Sequence, residues 1–392
     1  MENNLIEDLF TAYFDARKNK RNTINALAFE LQYESNLFKL YEEINERNYK
    51  IAESICFINF DPVQREIFAA DFRDRIVHHL VFNYMNPIFD KTFINDSYSC
   101  RKNKGTHYAI KKIRKFISQC SNNYTKECYI MKLDIEGYFM RMDRDILYDK
   151  IIKVIKEKAN ELLCELDLIR YLLQKIIFND PTTNCKIKGK KSDWKGLPES
   201  KSLFCAEENK GLPIGNLTSQ LFGNIYLNEF DHFVKNKLGI KYYGRYVDDF
   251  VLIHRDKNYL LDCREKIRDY LKNEFLLTLH PSKFYLQHYS KGLQFLGVYI
   301  KPFRVYIGKR CKTNFYRKIK LWNSNVINLK NKFGEEEKLL FRANINSYLG
   351  LLRHYNTYKL RNKLMNNILH KSFGLNFYFP DNLEKVIIKP SQ

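Results

Sequence analysis

A chain of 392 residues with 45% hydrophobic and 15% aromatic residues has enough apolar surface for two or three structural units, which excludes a disordered or low-complexity protein. Its 66 Lys and Arg against 45 Asp and Glu give a formal +21, and such a single-sign excess points to a polyanionic partner, nucleic acid first, rather than to solubility alone. The nine cysteines (56, 100, 120, 128, 164, 185, 205, 263 and 311) form no C-x-x-C pair and no His-x3–5-His run accompanies them, which argues against a zinc site or a disulfide framework and for reduced thiols.

The first residues, "MENNLIEDLF", carry acids where a secretory leader carries basic residues. No apolar run reaches the roughly 18 residues that span a bilayer. The expectation is a soluble, cytoplasmic protein with no membrane partner. Apolar residues three and four apart in "LIEDLFTAYFDARKNK" and "LAFELQYESNLFKLYEEI" predict helix through 5–51. A second helical stretch, "QREIFAADFRDRIVHHLVFNYMNPIF", is predicted after Pro62 to near Pro87. "SYSCRKNKGTHYAIKKIRKFI" reads as a basic loop entering a basic amphipathic helix. "CYIMKLDIEGYF" (128–139) predicts a buried strand closing on Asp134, with a turn at Gly137. Residues 144–178 are helical in period. "NDPTTNCKIKGKKSDWKGLPESKSLF" is polar and rich in turn formers, and is expected to leave the core.

"GLPIGNLTSQ" predicts a loop with Asn216 as N-cap of a helix that buries Leu217, Leu221, Ile225, Phe230, Phe233 and Val234. "KYYGRYVDDFVLIHR" predicts a hairpin with strands at 241–246 and 250–254. Helix is predicted over 258–275, a tight hairpin over 292–308, and basic helix over 309–370. No internal repeat or low-complexity linker separates these parts.

Asp248 and Asp249 sit at the tip of the predicted hairpin, and two readings stand. Asp suits turns on its own account. Alternatively a divalent cation converts the repulsion of adjacent carboxylates into chelation. Asp134 ends another apolar strand and supplies a third carboxylate. Alone it is a solvated strand-end acid. Together the three suit a pair of divalent ions about 4 Å apart, for which strand ends give the needed rigidity.

The segments also resemble a known family. "YVDDF" resembles the YxDD signature of reverse transcriptases, "MKLDIEGYF" the strand motif with their other catalytic aspartate, and "GLQFLGVYI" their primer-grip hairpin. "RDRIVHHLVFNYMNPIFDKTFINDSYSCRKNKGTHYAI" is similar to their first two finger motifs, and order and spacing match over about residues 55–305. Group II intron and retron enzymes usually carry QG-x-x-x-SP where this chain has IG-x-x-x-SQ. That variant is similar to the reverse transcriptases of diversity-generating retroelements. "WKGLPESKSLF" and "NSYLGLLRHYNTYKLR" extend the likeness to nearly the whole chain.

The resemblance implies an α/β fold, a right-hand polymerase with mixed α/β palm, fingers and helical thumb. It divides the chain into an N-terminal helical extension and fingers (1–127), first palm part (128–150), palm helix and fingers excursion (151–209), palm with catalytic hairpin and primer grip (210–305), and thumb with C-terminal tail (306–392). It makes Asp134, Asp248 and Asp249 catalytic and, with the Ile135 carbonyl, ligands of two Mg2+ ions. Tyr138 matches the ring that excludes a 2′-hydroxyl, with Phe139 the alternative one register on. Arg101 and Lys102 match cations on the incoming triphosphate. Ile214, Gly215 and Gln220 line the nucleotide pocket, and Lys283 lies near the nucleotide. Lys301, Arg304, Lys309, Arg310, Arg353, Lys359 and Arg361 track nucleic-acid phosphates.

The implied activity is error-prone copying of a template-repeat RNA, with mutations at adenines, for diversification of a target gene. The implied partners are template RNA and cDNA, deoxynucleoside triphosphates and a small, basic, pentameric accessory protein. No ribonuclease H, zinc or endonuclease segment is expected. Two rival readings are a retron- or intron-type enzyme without mutagenic role, opposed by Ile214 and Gln220, and a non-catalytic RNA-binding scaffold, which has no use for three crowded carboxylates.

Overall fold

A computed structural model describes residues 4–18, 23–60, 63–328 and 333–390. Three helices open the chain, α1 (Leu5–Arg17), α2 (Ile24–Glu30) and α3 (Tyr33–Asn45), followed by strands β1 (Ser54–Asn59) and β2 (Arg65–Ala69). Helices α4 (Phe72–Phe89) and α5 (Thr106–Cys120) lead to strand β3 (Tyr129–Asp134), then α6 (Arg144–Glu157), α7 (Leu166–Ile177) and the short β4 (Cys185–Ile187). After α8 (Leu217–Tyr226) and α9 (Asn228–His232) come β5 (Tyr242–Tyr246), β6 (Asp249–His254), α10 (Lys257–Phe275) and β7 (Tyr285–His288). Strands β8 (Leu293–Phe295), β9 (Val298–Lys301) and β10 (Arg304–Ile307) precede α11 (Lys309–Asn328), α12 (Glu335–Leu352), α13 (Tyr358–Asn362) and α14 (Phe373–Asn376). The two-residue strands β11 (Phe377–Tyr378) and β12 (Ile387–Ile388) come last. Pro62 and the parts of the predicted helices at 19–22 and 329–332 lie outside the described residues.

Contacts divide the chain into two compact units, Met1–Phe116 with Tyr129–Leu286, and Ile117–Cys128 with Gln287–Gln392. In the first, a sheet of order β5-β6-β3-β7 joins helices α1, α4, α6, α7, α8 and α10 in one continuous apolar core. A smaller sheet of order β2-β1-β4 stands beside its own cluster of Cys56, Phe68, Met140 and Leu203. The second unit has the meander β10-β9-β8 and a separate core built around Phe315, Trp322, Phe341 and Phe373.

Helix starts follow capping chemistry. Asp71, Asp143 and Asp256 each accept a backbone N–H of the first turn, satisfying donors that the helix leaves open. The cap at Asp71 also explains where the helix predicted from 64 departs from the structure. Residues 65–69 alternate in burial and pair antiparallel with β1, so the segment is a strand until the cap at Asp71 starts α4. Asn216 holds the N-cap position of α8, yet its side-chain Oδ1 accepts from the Ala70 N–H at 3.2 Å and makes no cap bond. The predicted helix over 144–178 is broken between α6 and α7, and the predicted hairpin over 292–308 is a three-stranded meander.

The segment expected to leave the core is instead tied to it. β4 pairs parallel with β1, and the buried Glu66 carboxylate accepts from Trp194 Nε1 at 2.7 Å, Ser202 Oγ at 2.8 Å and the Leu203 N–H at 2.6 Å. A buried carboxylate with three donors is satisfied where a polar loop alone gave no sign of anchorage.

Gly244 in β5 is fixed by a neighbour rather than by its dihedrals. A Cβ there would meet Tyr98 Oη at 2.5 Å and Cε2 at 2.7 Å, because the buried Tyr98 ring lies on the bare backbone. Gly244→Ala is expected to lower the unfolding free energy by about 1–3 kcal/mol. Gly350→Ala, where a Cβ in helix α12 meets nothing within 4 Å, is the control and is expected to leave stability unchanged or raise it by up to about 1 kcal/mol. Urea unfolding of both variants checks this, and a Gly244→Ala protein as stable as its parent contradicts it.

Candidate active site

β3 and β6 pair antiparallel so that Asp134, the last residue of β3, is the partner of Asp249, the first of β6. On the other side of β6, Tyr246 of β5 pairs with the same Asp249, which leaves Val247 and Asp248 as the turn. Register thus puts Asp134 beside Asp249 at one sheet end, and the turn adds Asp248. A slip of one residue sends one of them to the opposite face. Val247 makes the turn at φ +58°, a conformation rare for a β-branched residue and sustained only where the surroundings fix it.

Arg245 does the fixing. It is fully buried, and its guanidinium donates to both oxygens of Asp231 at 2.7 and 2.6 Å and to the Val247 carbonyl at 3.0 Å. Tyr243 donates to the same Asp231 carboxylate at 2.6 Å. The Arg245 backbone is held too, its N–H by the Asp96 carbonyl at 2.9 Å and its carbonyl by the Tyr98 N–H at 3.0 Å. Side chain and main chain together leave the turn one geometry.

The acids are short of positive charge. Lys283 Nζ lies 2.8 Å from Asp134 and Lys132 Nζ 3.1 Å from Asp249. Asp249 Oδ1 is buried with no hydrogen-bond partner among the described residues. Burial, reinforced by the charge of Asp134, pushes the Asp248 carboxyl up to about 6. Burial likewise pushes Asp249 up to about 6, against the pull of Lys132. Among the described residues no three His, Cys, Asp or Glu side chains are gathered tightly enough to enclose a metal ion, and two of the acids are paired with lysines instead. The donor chemistry still fits a hard divalent cation: carboxylate oxygens, one of them buried and orphaned, with Asp248 and Asp249 held where burial disfavours their charge.

A sequence profile of the family described as reverse transcriptase (RNA-dependent DNA polymerase) matches residues 64–300, the span that contains this site. The chain belongs to the reverse transcriptase family. Its fold class is accordingly that of a right-hand polymerase with a mixed α/β palm. It is 25% identical over 257 residues to Protein YkfC of Escherichia coli strain K12, covering 57% of this chain and 60% of that protein. It is 22% identical over 290 residues to Nuclear intron maturase 1, mitochondrial, of Arabidopsis thaliana, covering 57% of this chain and 40% of that protein. The matches therefore span about half of these relatives' length. Among solved structures it is similar to apo telomerase from Candida tropicalis truncated from its C-terminal domain (TM-score 0.47, 14% identity, 70% of this chain and 60% of that chain). A telomerase from Candida albicans in complex with a TWJ fragment of telomeric RNA is also similar (TM-score 0.46, 11% identity, 89% and 67%).

Other residues that the reverse transcriptase motifs single out are distributed unevenly. Ile135 is buried beside the acids, its N–H toward the Asp248 carbonyl at 3.3 Å. Tyr138 is only 2% exposed and donates its hydroxyl to the Gly223 carbonyl at 2.5 Å, so its ring belongs to the core. The neighbouring Phe139 is partly exposed and packs on the same small cluster as Ile214, which makes it the better placed of the two rings. Gly215 has φ +139°, and a Cβ there would meet the Phe68 carbonyl oxygen at 2.6 Å. Gln220 is exposed.

Arg101 corrects an expectation. Its guanidinium is spent on the Asp90 carboxylate at 2.6 Å and on the Asp90, Ile94 and Ser97 carbonyls, so it shapes the loop and leaves Lys102 as the exposed cation there. In the second unit Lys301, Arg304, Lys309, Arg310, Arg353 and Lys359 are exposed. Arg361 is buried and donates to the Asn382 carbonyl at 2.6 Å, which removes it from the phosphate-facing set.

Sequence reasoning passed over Lys132, Asp231 and Arg245. Asp231 had a signal, since it falls on the apolar stripe of its helix between Leu227 and Val234, where an acid needs a buried partner.

Both raised acids bind protons more tightly folded than unfolded, where the ordinary value is near 3.8. Stability is therefore lost as pH rises from about 4 to about 6, and the loss is complete above that. In the absence of divalent cations, Asp248→Asn is expected to stabilise the protein by about 1–3 kcal/mol at pH 8 and by almost nothing at pH 4. Urea unfolding at the two pH values measures this. A variant less stable than its parent at pH 8 refutes the charge account of the turn.

Proposed function

We propose that the chain is an RNA-directed DNA polymerase that makes error-prone cDNA, mutated at adenines, from a template-repeat RNA, in the manner of diversity-generating retroelement enzymes. The observation that carries nucleotidyl transfer is the register pairing of Asp134 with Asp249, with Asp248 in the turn beside them, inside the reverse transcriptase match. Asp134, Asp248 and Asp249, with the Ile135 carbonyl, would hold two Mg2+ ions, which supply the charge that activates a 3′-hydroxyl and offsets the leaving pyrophosphate.

The chain's own groups have separate tasks in this reading. The Arg245 and Asp231 pair keeps the acids in register before substrate arrives. Lys283, half exposed and paired with Asp134, is assigned to the nucleotide phosphates, together with Lys102. Phe139 is assigned to the sugar face in place of Tyr138, and Ile214, Gly215 and Gln220 to the pocket wall. The fingers, palm and thumb take the residue ranges implied by the family motifs, and the exposed cations of the second unit contact phosphates of template RNA and cDNA. The accessory partner is a small, basic, pentameric protein, and the setting is the cytoplasm. Ile214 and Gln220 support the retroelement reading. The likeness to an intron maturase supports the second reading, a retron- or intron-type enzyme without mutagenic role.

Primer extension on an RNA template tests the chemistry. With Mg2+, Asp248→Asn should abolish extension while RNA binding stays within about twofold, and Phe139→Ala should admit ribonucleotides where Tyr138→Ala does not. Full activity of Asp248→Asn sinks the acid assignment.

Error spectra test the finer reading. Ile214 offers no hydrogen bond where a Gln side chain does, and one net hydrogen bond of roughly 0.5–1.5 kcal/mol is worth up to about tenfold in discrimination. Sequencing of cDNA from Ile214→Gln should show a changed misincorporation frequency opposite adenine, with total synthesis within a few fold. An unchanged spectrum leaves Ile214 as packing and favours the second reading.

A further inference from the structure

We propose that the second unit carries a stacking platform for unpaired nucleobases, built from Phe303 and Tyr124 and rimmed by Lys126, Lys301 and Arg304. The inference takes nucleic acid as its occupant from the polymerase reading, and is otherwise independent of the acids.

Phe303 stands at the tip of the β9–β10 hairpin with φ +63°, and it is 75% exposed. Hairpin tips in the left-handed region favour Gly or Asn, so a phenyl ring there serves neither the turn nor a core. Its neighbour Tyr124 is equally unusual. It closes three successive left-handed residues, Asn122 at φ 48°, Asn123 at φ 54° and Tyr124 at φ 69°. That turn is wired in place: Ser121 Oγ accepts from the Tyr124 N–H at 3.0 Å, Ser118 Oγ donates to Asn123 Oδ1 at 2.8 Å, and Tyr289 donates its hydroxyl to the Tyr124 carbonyl at 2.6 Å. The result is an edge contact between the Tyr124 and Phe303 rings, 4.7 Å apart at 62°, that leaves most of the Phe303 ring open. Backbone strain in two loops that meet where an exposed ring packs on a half-buried one marks a site rather than a defect.

The surrounding charge selects the occupant. Lys301 and Arg304 bracket the tip, and their charged ends lie against the rings of Tyr299 at 5.9 Å and Tyr306 at 4.8 Å. Among the described residues no acid pairs with Lys126, Lys301 or Arg304, and all three are exposed. Glu127, 3.6 Å from His288, is the one acid adjoining the cations in sequence. An aromatic face amid unpaired cations suits a nucleobase whose own phosphates meet the rim. A hairpin tip one ring wide suits an unpaired base, because bases in a duplex are already stacked.

The test uses the full chain with a labelled single-stranded RNA oligonucleotide, and with the same RNA annealed to complementary DNA, both read by fluorescence anisotropy. Phe303→Ala should weaken single-strand binding by about tenfold with an unchanged salt slope, since stacking and not a phosphate contact is lost. Hybrid binding should stay within about twofold, and Phe303→Trp should keep single-strand affinity. Photocross-linking of 4-thiouridine in the RNA should map to the peptides carrying Tyr124 and Phe303. Wild-type affinity in Phe303→Ala, or an equal loss for single strand and hybrid, overturns the platform. Self-association that disappears in Phe303→Ala on sedimentation gives the face to a second copy of the chain and also overturns it. A protein that binds single-stranded RNA through Phe303 but extends no primer leaves the platform standing and sinks the polymerase reading instead.

Discussion

Three carboxylates at one sheet end repel one another, and the buried ion pair of Arg245 with Asp231 is the constraint that makes their arrangement possible. An exposed pair of this kind contributes about 0–1 kcal/mol and holds nothing in place. Here neither partner touches water, and leaving either one unpaired costs on the order of 3–5 kcal/mol. The pair therefore behaves as a fixed object. A third donor on the same guanidinium reaches the Val247 carbonyl, and a hydrogen bond from a charged donor, at about 1.5–3 kcal/mol, matches the roughly 1–3 kcal/mol that a left-handed β-branched residue costs. Strain in the turn and the clamp on it are of one size, which is why the turn holds.

Everything around the clamp follows from having to bury it. Asp231 comes from the helical stretch after α8, Arg245 from β5, and the segment 96–98 bonds along the Arg245 backbone, so three separate parts of the chain close over one charge pair. Gly244 belongs to the same construction, because the Tyr98 ring that seals β5 needs its bare backbone. The segment 96–98 and the hairpin that carries Asp248 are thereby one packed object.

What the sequence disclosed and what it hid divide along the range of the interaction. The hairpin around Asp248 was legible because Asp-rich turns between apolar strands are local chemistry, and α10 was legible because its period is local as well. The helix predicted from residue 64 failed for the opposite reason. Ile67 and Phe68 suit either element in isolation, and pairing with β1 decided for strand. Arg101 and Arg361 were assigned to phosphates by their match to family positions, yet carbonyls from residues 4 to 21 positions away absorb their donors. Charge counts cannot distinguish a cation offered to solvent from one folded inward, and the same limit hid Lys132 and the clamp.

The loop at Ile214 and Gly215, the proposed pocket wall, separates backbone from side chain. The Ile214 carbonyl accepts from the Phe68 N–H at 2.9 Å, and Gly215 lies so close to the Phe68 carbonyl that no side chain fits there. The main chain at 214 and 215 is thus set by β2, whatever side chain residue 214 carries. Ile214 and Phe139 pack on one small cluster, so the ring assigned to the sugar and the wall assigned to the base share neighbours. Selectivity between right and wrong pairs changes tenfold for each 1.4 kcal/mol or so, the scale of one hydrogen bond. On the proposed assignment, a loop whose backbone is pinned by its neighbour strand exchanges Gln for Ile at the wall, shifts accuracy by up to that factor, and leaves the acids and their clamp in place.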